Sequence, residues 1–289
     1  MYKVDNAVIM AAGASSRFAP LSYELPKALI TVKGEVLIER QIAQLKAAGI
    51  EDIYVVVGYK GDMFSYLEEK LGVHIVENPD YLTRNNNASI YAVRHILKNT
   101  YICSADNYFS ENPFESQVDG SYYAAVYAEG DTKEWCMDCD EDGVISSVRI
   151  GGRDAWYMLG HTFWDEEFSK GFLRILEAEY DRPETADKLW ESIYMEHLDS
   201  LKMKMRRYED GVIFEFDTLD ELREFDESYR EDTRSAILKT IAAELSCKER
   251  DITDLKAYRG DSNDAAGFTF TACGKGYRYS YSDSKIKEN

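Results

Sequence analysis

The feature that most constrains this chain lies near its start. The apolar run Asn6-Ala7-Val8-Ile9-Met10 passes directly into Ala11-Ala12-Gly13-Ala14-Ser15-Ser16-Arg17-Phe18-Ala19-Pro20, and Pro26-Lys27 follows. A run of this kind reads as a strand buried on both faces, as in a parallel sheet. The loop after it consists almost entirely of small side chains. These let backbone N–H groups come close to a bound anion, and Arg17 and Lys27 add full positive charge. Such a loop suits a polyphosphate at the carboxyl edge of an α/β sheet. It has neither the Gly-Lys-Ser/Thr of a Walker loop nor the second and third glycines of the dinucleotide fingerprint. The simpler alternative, for the loop alone, is an ordinary small-residue turn between strand and helix.

The segments that follow alternate in type. Residues 35–48 carry Val36, Ile42 and Leu45 at helical spacing and stop at Gly49. Ile53-Tyr54-Val55-Val56-Val57 is a continuous apolar strand, 62–71 reads as a second helix, and 73–76 as a short strand. This alternation predicts an α/β fold with a doubly wound, mostly parallel, Rossmann-like sheet and right-handed crossovers. Asn85-Asn86-Asn87-Ala88-Ser89 precedes a helical pattern over 90–97. These residues either cap that helix or contact a nucleotide base or ribose, since amides both donate and accept. Tyr101-Ile102-Cys103-Ser104-Ala105-Asp106-Asn107-Tyr108 is a strand ending in Asp106. On this fold Asp106 faces the same crevice as Gly13 and offers a hard oxygen to Mg²⁺; otherwise it is a cap or turn residue.

From residue 121 the texture changes. Short β patterns occupy 122–127, 135–138, 144–150 and 156–163, with helices expected over 166–180 and 185–201. A hairpin of 202–207 with 212–216 is expected around Asp210-Gly211. In Val212-Ile213-Phe214-Glu215-Phe216-Asp217-Thr218 the alternation puts Glu215 and Asp217 on one strand face. That face is either simply solvated, or Asp217 is a second metal ligand opposite Asp106. A helix over 233–245 and a hairpin of 268–272 with 277–281 follow, and 285–289 are expected to be mobile.

Four of these stretches resemble a known family, among them Glu215-Phe216-Asp217, where the family has a Glu-x-Asp and uses the Asp for metal. Ala-Ala-Gly followed by Ser-Ser-Arg and Pro-Lys, the Asn-Asn segment before Ser89, and the Ala-Asp-Asn-Tyr around Asp106 are similar to the nucleotidyltransferases that make nucleotide-diphospho sugars and alcohols. Within them the wording is closest to the bacterial CTP:phosphocholine cytidylyltransferase family. The chain departs at Ser15, where that family has its second glycine, the residue that takes positive φ cheaply. The resemblance covers about residues 3–230. It implies a GT-A-like nucleotidyltransferase domain over 1–230, with a nucleotide-binding half (1–120) and an acceptor-binding half (121–230), and leaves 231–289 as a C-terminal appendage. It implies Mg²⁺ on Asp106 and Asp217, and nucleotide binding by Ala12, Gly13, Ala14, Ser15, Ser16, Arg17, Asn85, Asn86 and Ser89.

The implied reaction is attack of an acceptor phosphate oxygen on the α-phosphorus of CTP, with pyrophosphate leaving. Arg17 would grip the β- and γ-phosphates and Lys27 would neutralise charge at the α-phosphate and the acceptor phosphate. A phosphate monoester is mostly dianionic at neutral pH, so no general base is needed. None is apparent, since His74, His95, His161 and His197 share no motif. For the acceptor, the second half is rich in aromatics, which recognise a quaternary ammonium at roughly 0.5–2 kcal/mol per face. Trp135, Tyr157 and Trp190 are candidate cage walls, with Glu191 and Glu215 as counter-charges. The family places an acidic residue beside its Trp where Trp190-Glu191 stands. Alternatives are a sugar-1-phosphate nucleotidylyltransferase using UTP or dTTP, and a catalytically silent nucleotide-sensing module.

Composition limits the partners. The 289 residues carry a net charge of −19 and a sequence pI near 4.7. That argues against nucleic acid or an anionic membrane, and means a polyphosphate must be held by local cations and a metal. No run approaches the ~20 apolar residues of a membrane span, and no signal-peptide pattern opens the chain. With five scattered cysteines, this points to the cytoplasm. Cys136-Met137-Asp138-Cys139 is a lone C-x-x-C, read as two strand positions and not as a zinc site. CTP and phosphocholine are the expected partners, and a homodimer through the tail stays open.

Overall fold

The computed structural model describes residues 1–260 and 265–288 and divides into two compact units. One comprises Met1–Gly13 with Leu37–Glu215, the other Ala14–Val36 with Phe216–Asn289.

The first unit is built on a seven-stranded sheet. In spatial order its strands are Lys204–Arg207, Tyr122–Cys139, Ile145–Trp164, Thr100–Ser104, Asn6–Ala11, Ile53–Val57 and His74–Glu77. The last four are parallel, with Ala7 opposite both Ile53 and Tyr101. Ala7, Val8 and Ile9 are wholly buried, as a strand covered on both faces requires. Helices Leu37–Ala47, Tyr66–Leu71 and Asn87–Ala92 lie along the connections. Ile145–Trp164 then runs antiparallel to Thr100–Ser104 and to Tyr122–Cys139. The core joins Val8, Val56 and Ile102 of the sheet to Ile90, Trp164, Phe172, Leu176, Trp190 and Tyr194. Each such side chain contributes roughly 1.5–3 kcal/mol by leaving water.

The second unit holds the residues after the first strand's loop. Ala14–Val36 forms turns at Ser16–Phe18 and Lys27–Leu29, a short helix Leu21–Glu24, and a hairpin pairing Thr31 with Val36. With it lie helices Leu219–Phe225, Ser228–Glu231 and Ala236–Glu244. A four-stranded antiparallel sheet completes the unit, in the order Ile252–Arg259, Ala265–Ala272, Lys275–Ser280, Lys285–Glu288. The boundary expected between 230 and 231 falls inside this unit. Tyr229 and Arg234, on either side of it, both donate to the carbonyl of Thr31, at 2.8 and 2.7 Å.

Other expectations are corrected by long-range pairing. The arms 202–207 and 212–216 do not pair with each other: Lys204–Arg207 joins Tyr122–Ala125, and Ile213–Glu215 joins Asn107–Phe109. The four short β patterns between 122 and 163 merge into two long, bulged strands. The helix expected over 185–201 is broken into Pro183–Thr185 and Trp190–Glu196. Buried Asn87 takes up carbonyls that a helix would have used, donating to Thr185 at 3.0 Å and to Lys188. Residues 285–288 are a paired strand, with Ile286 opposite Tyr279 and Lys275 bridged to Glu288. Residues 261–264 and Asn289, within the expected tail, lie outside the described residues. Among the described residues no helix is long and apolar enough to cross a membrane.

Gly160 sits at φ +103, and a Cβ there would come within 3.0 Å of Ile213 Cδ1, on the strand that ends in Glu215. Gly160→Ala should therefore destabilise by roughly 1–3 kcal/mol, read as a lowered urea midpoint.

Candidate active site

In the first unit two candidate residues leave neighbouring parallel strands at their carboxyl ends. Asn6–Ala11 runs on through Ala12 to Gly13; the Ala12 carbonyl accepts from the Tyr59 amide at 3.0 Å. Beside it Thr100–Ser104 runs on to Asp106, and the Ala105 amide donates to Met10 O at 3.2 Å. Gly13 is exposed, and nothing lies within 4 Å of where a Cβ would stand. Its backbone is therefore open to a close-approaching group. Asp106 is half-buried in the tight turn before Asn107–Phe109.

The second unit carries the rest of the loop. Ser15 has φ 46 and ψ 48, the left-handed conformation that a glycine would take without cost and that a side chain takes at roughly 1–2 kcal/mol. It opens the turn Ser16–Phe18, with the Phe18 amide on Ser15 O at 2.9 Å. Ala14 is exposed and Ser16 half-buried. Arg17 is bonded to Asp217, so the expected phosphate grip and the expected metal ligand hold each other. Lys27 opens its own turn, is only 4% exposed, and stands with its ammonium 5.6 Å from the Phe18 ring. Asp217 is not on a strand, since Ile213–Glu215 ends before it. The alternation expected to align Glu215 with Asp217 is cut short because Thr218 caps the next helix, in a capping box with Glu221. The Asp217 amide also donates to Glu221, at 2.6 Å.

A carboxylate–aromatic cluster occupies the first unit. Asn86 donates through Nδ2 to Glu191 at 3.1 Å and accepts the Trp190 amide on Oδ1 at 2.7 Å. The Tyr123 hydroxyl donates to Glu191 at 3.4 Å, and its ring stacks on Trp190 with centroids 5.7 Å apart. Asn107 donates to Glu215 at 3.4 Å. Burial first, then the charges of Glu191 and Glu215, push the Tyr123 hydroxyl far up. Burial, then Glu134, Asp210 and Glu215, raise that of Tyr157. Glu191 itself is pushed up to about 7 by burial, against the opposing hydrogen bonds from Asn86, its own backbone and Tyr123.

Among the expected cage walls, Trp135 and Tyr157 are half-buried, on the two facing strands. Trp190 is corrected: at 1% exposure its indole packs edge-on against Trp164 and Phe172, so it is core beneath Tyr123 and not a wall. The residues of the Asn segment make bonds within the unit. The Asn85 side chain donates to Asp187 O at 3.1 Å, Asn86 holds Glu191 and Trp190, and buried Ser89 accepts from Asn78 at 3.3 Å. The segment clamps residues 185–191 into place, and Asn86 makes no side-chain cap for the helix it precedes. Sequence reasoning missed Asn87, Tyr123 and Asn107 as the supports of this cluster. Asn87 and Asn107 lie inside the Asn segment and the Ala-Asp-Asn-Tyr stretch, and Tyr123 among the aromatics of the second half, but no pattern pointed to this supporting role. Buried His161, accepting or donating to the hydroxyls of Tyr122 and Tyr208 at 2.8 and 3.2 Å, is held down near 3 by burial and stays neutral.

Residues 7–115 match the MobA-like NTP transferase domain. The chain is 33% identical over 222 residues to the choline-phosphate cytidylyltransferase of Streptococcus pneumoniae, covering 77% of this chain and 97% of that one. It is 37% identical over 228 residues to a 2-aminoethylphosphonate cytidylyltransferase of Lancefieldella rimae, covering 78% and 93%. The solved structure of the Streptococcus pneumoniae CTP:phosphocholine cytidylyltransferase superimposes with a TM-score of 0.75, covering 78% of this chain and 99% of that one.

Because the carboxyl of Glu191 is raised from 4.5 to about 7, the folded state binds more protons than the unfolded one between those values. Stability therefore falls as pH rises through that window. Glu191→Gln removes the effect. The melting temperatures of variant and wild type should coincide at about pH 4 and diverge in favour of the variant by about pH 8.

Proposed function

This chain belongs to the nucleotidyltransferase family of the bacterial choline-phosphate cytidylyltransferases, and we propose that it transfers the cytidylyl group of CTP to phosphocholine, giving CDP-choline and pyrophosphate. The observation that carries the choice of acceptor is the cluster around Glu191. Glu191 is bonded by Asn86 and Tyr123 and Glu215 by Asn107, and the charge of Glu215 acts on both Tyr123 and Tyr157. Such a cluster suits a cationic headgroup, which aromatic faces and carboxylates recognise, and offers little to the hydroxyls of a sugar. Trp135 and Tyr157 remain the proposed walls, with Glu191 and Glu215 as counter-charges. The 37% identity to a 2-aminoethylphosphonate cytidylyltransferase favours a second reading, in which the headgroup is a primary ammonium.

The chemistry asks for alignment and charge neutralisation. An oxygen of the acceptor phosphate dianion forms a bond to the α-phosphorus while the bond to the bridging oxygen of pyrophosphate breaks, so no proton has to be moved. Arg17 leaves Asp217 for the β- and γ-phosphates, a bidentate match for a guanidinium. Lys27, held by its buried turn, neutralises the charge gathering where the two phosphates meet. The open backbone around Gly13 accepts the triphosphate closely. Asp106 and Asp217 are the proposed Mg²⁺ ligands; both offer hard carboxylate oxygens, the donors this ion takes together with substrate phosphates. When bound, Mg²⁺ would add charge stabilisation on the phosphates.

The test is pyrophosphate release with CTP, UTP, dTTP or ATP crossed against phosphocholine, phosphoethanolamine, 2-aminoethylphosphonate and glucose-1-phosphate. Turnover confined to CTP with phosphocholine supports the proposal. CTP with 2-aminoethylphosphonate selects the second reading, and a sugar phosphate discards the cluster's role. Lys27→Ala should lower kcat by about 10²-fold, and full retention of kcat removes Lys27 from the mechanism.

A further inference from the structure

The loop that carries Arg17 and Lys27 belongs to the same compact unit as the C-terminal residues and not to the unit of the strand it follows. Its bonds to that segment are specific. The ring of Tyr23, between the two cations in sequence, stacks on Tyr281 with centroids 3.7 Å apart and planes within 5°. Oε1 of Glu24 accepts the backbone amides of Ala236 and Ile237, at 2.8 and 3.2 Å, in the first turn of helix Ala236–Glu244. Farther along, the Lys33 amide donates to Asp226 at 2.8 Å, and the Thr31 carbonyl takes Tyr229 and Arg234. The sheet whose third strand leads into Tyr281 is itself anchored: the buried Arg223 guanidinium donates to Ile252 O at 2.7 Å and Glu249 O at 2.8 Å. The relatives are spanned almost completely by about three quarters of this chain, so this chain has a stretch beyond what they align with.

A loop of small residues that grips a triphosphate loses affinity if it must be ordered on binding, by the entropy of each side chain it immobilises. Bracing the loop in advance removes that loss. We propose that the described residues of the C-terminal appendage, 231–260 and 265–288, are a positioning element of the nucleotide site, acting through Tyr281 on Tyr23 and through the helix amides on Glu24 to hold the segment that carries Arg17 and Lys27. The inference rests on the reading that this segment binds the triphosphate. It assigns the appendage a role in CTP affinity, with none in acceptor binding.

The experiment compares wild type with Tyr281→Ala, Tyr281→Phe and Glu24→Ala. It measures kcat, both KM values, and the CTP dissociation constant by calorimetry. Tyr281→Ala and Glu24→Ala should each raise the CTP constants by about 3–10-fold, leaving the acceptor KM within about twofold. Tyr281→Phe, which keeps the stacked ring, should match wild type. An unchanged CTP constant in a folded Tyr281→Ala overturns the inference, as does an equal loss for both substrates. If Tyr281→Ala does not fold, Glu24→Ala decides by the same criteria. A wild type that binds CTP but turns over no acceptor would instead mark failure of the proposed reaction, and calorimetry on the variants would still test the brace.

Discussion

The arrangement depends on one pairing: strand Asn6–Ala11 lies parallel between Ile53–Val57 and Thr100–Ser104. Parallel neighbours with crossovers of one hand bring successive strand ends to the same edge. That is why Gly13 and Asp106, far apart in sequence, leave adjacent strands of the first unit at their carboxyl ends. The wholly buried Ala7, Val8 and Ile9 make the register costly to change, since a one-residue slip would reverse every side chain.

Charge is the second organising constraint. In a chain of net charge −19, Arg17 and Lys27 are held in different ways. Arg17 pairs with Asp217, and with the Arg17 side chain 74% exposed such a pair contributes only about 0–1 kcal/mol. Such a pair costs little to break. Lys27 is treated differently, packed in a buried turn beside Phe18. One cation sits in an exposed, weak pair and the other is fixed in a buried turn, the two settings that the proposed phosphate grip and the proposed fixed charge would need.

The carboxylate–aromatic cluster illustrates how neighbours in sequence divide the work. Trp190 turns into the core against Trp164 and Phe172, while Glu191, the next residue, is left half-buried between Asn86 and Tyr123. The apolar anchor fixes the carboxylate, and the burial that comes with it raises the proton affinity of Glu191. A bound cation would reverse that effect by favouring the ionised form.

By itself the sequence determined the α/β class, the parallel half of the sheet and the place of the small-residue loop after the first sheet strand. These follow from local signals: apolar runs, helical spacing and small residues after a strand, each legible within about ten positions. Family membership was legible too, in the wording of the loop, the Asn segment and the Asp106 strand end. Only the tertiary structure decided what each polar group touches. Arg17 meets a residue 200 positions away, Asn86 one 105 positions away, and the arms around Gly211 leave each other for distant strands. No local pattern encodes such partners, because a buried amide or carboxylate takes whichever group the packing of the whole unit brings within hydrogen-bond reach. For the same reason the loop's membership in the C-terminal unit could not be read along the chain. Tyr23 and Tyr281 are ordinary aromatics until folding lays one ring on the other.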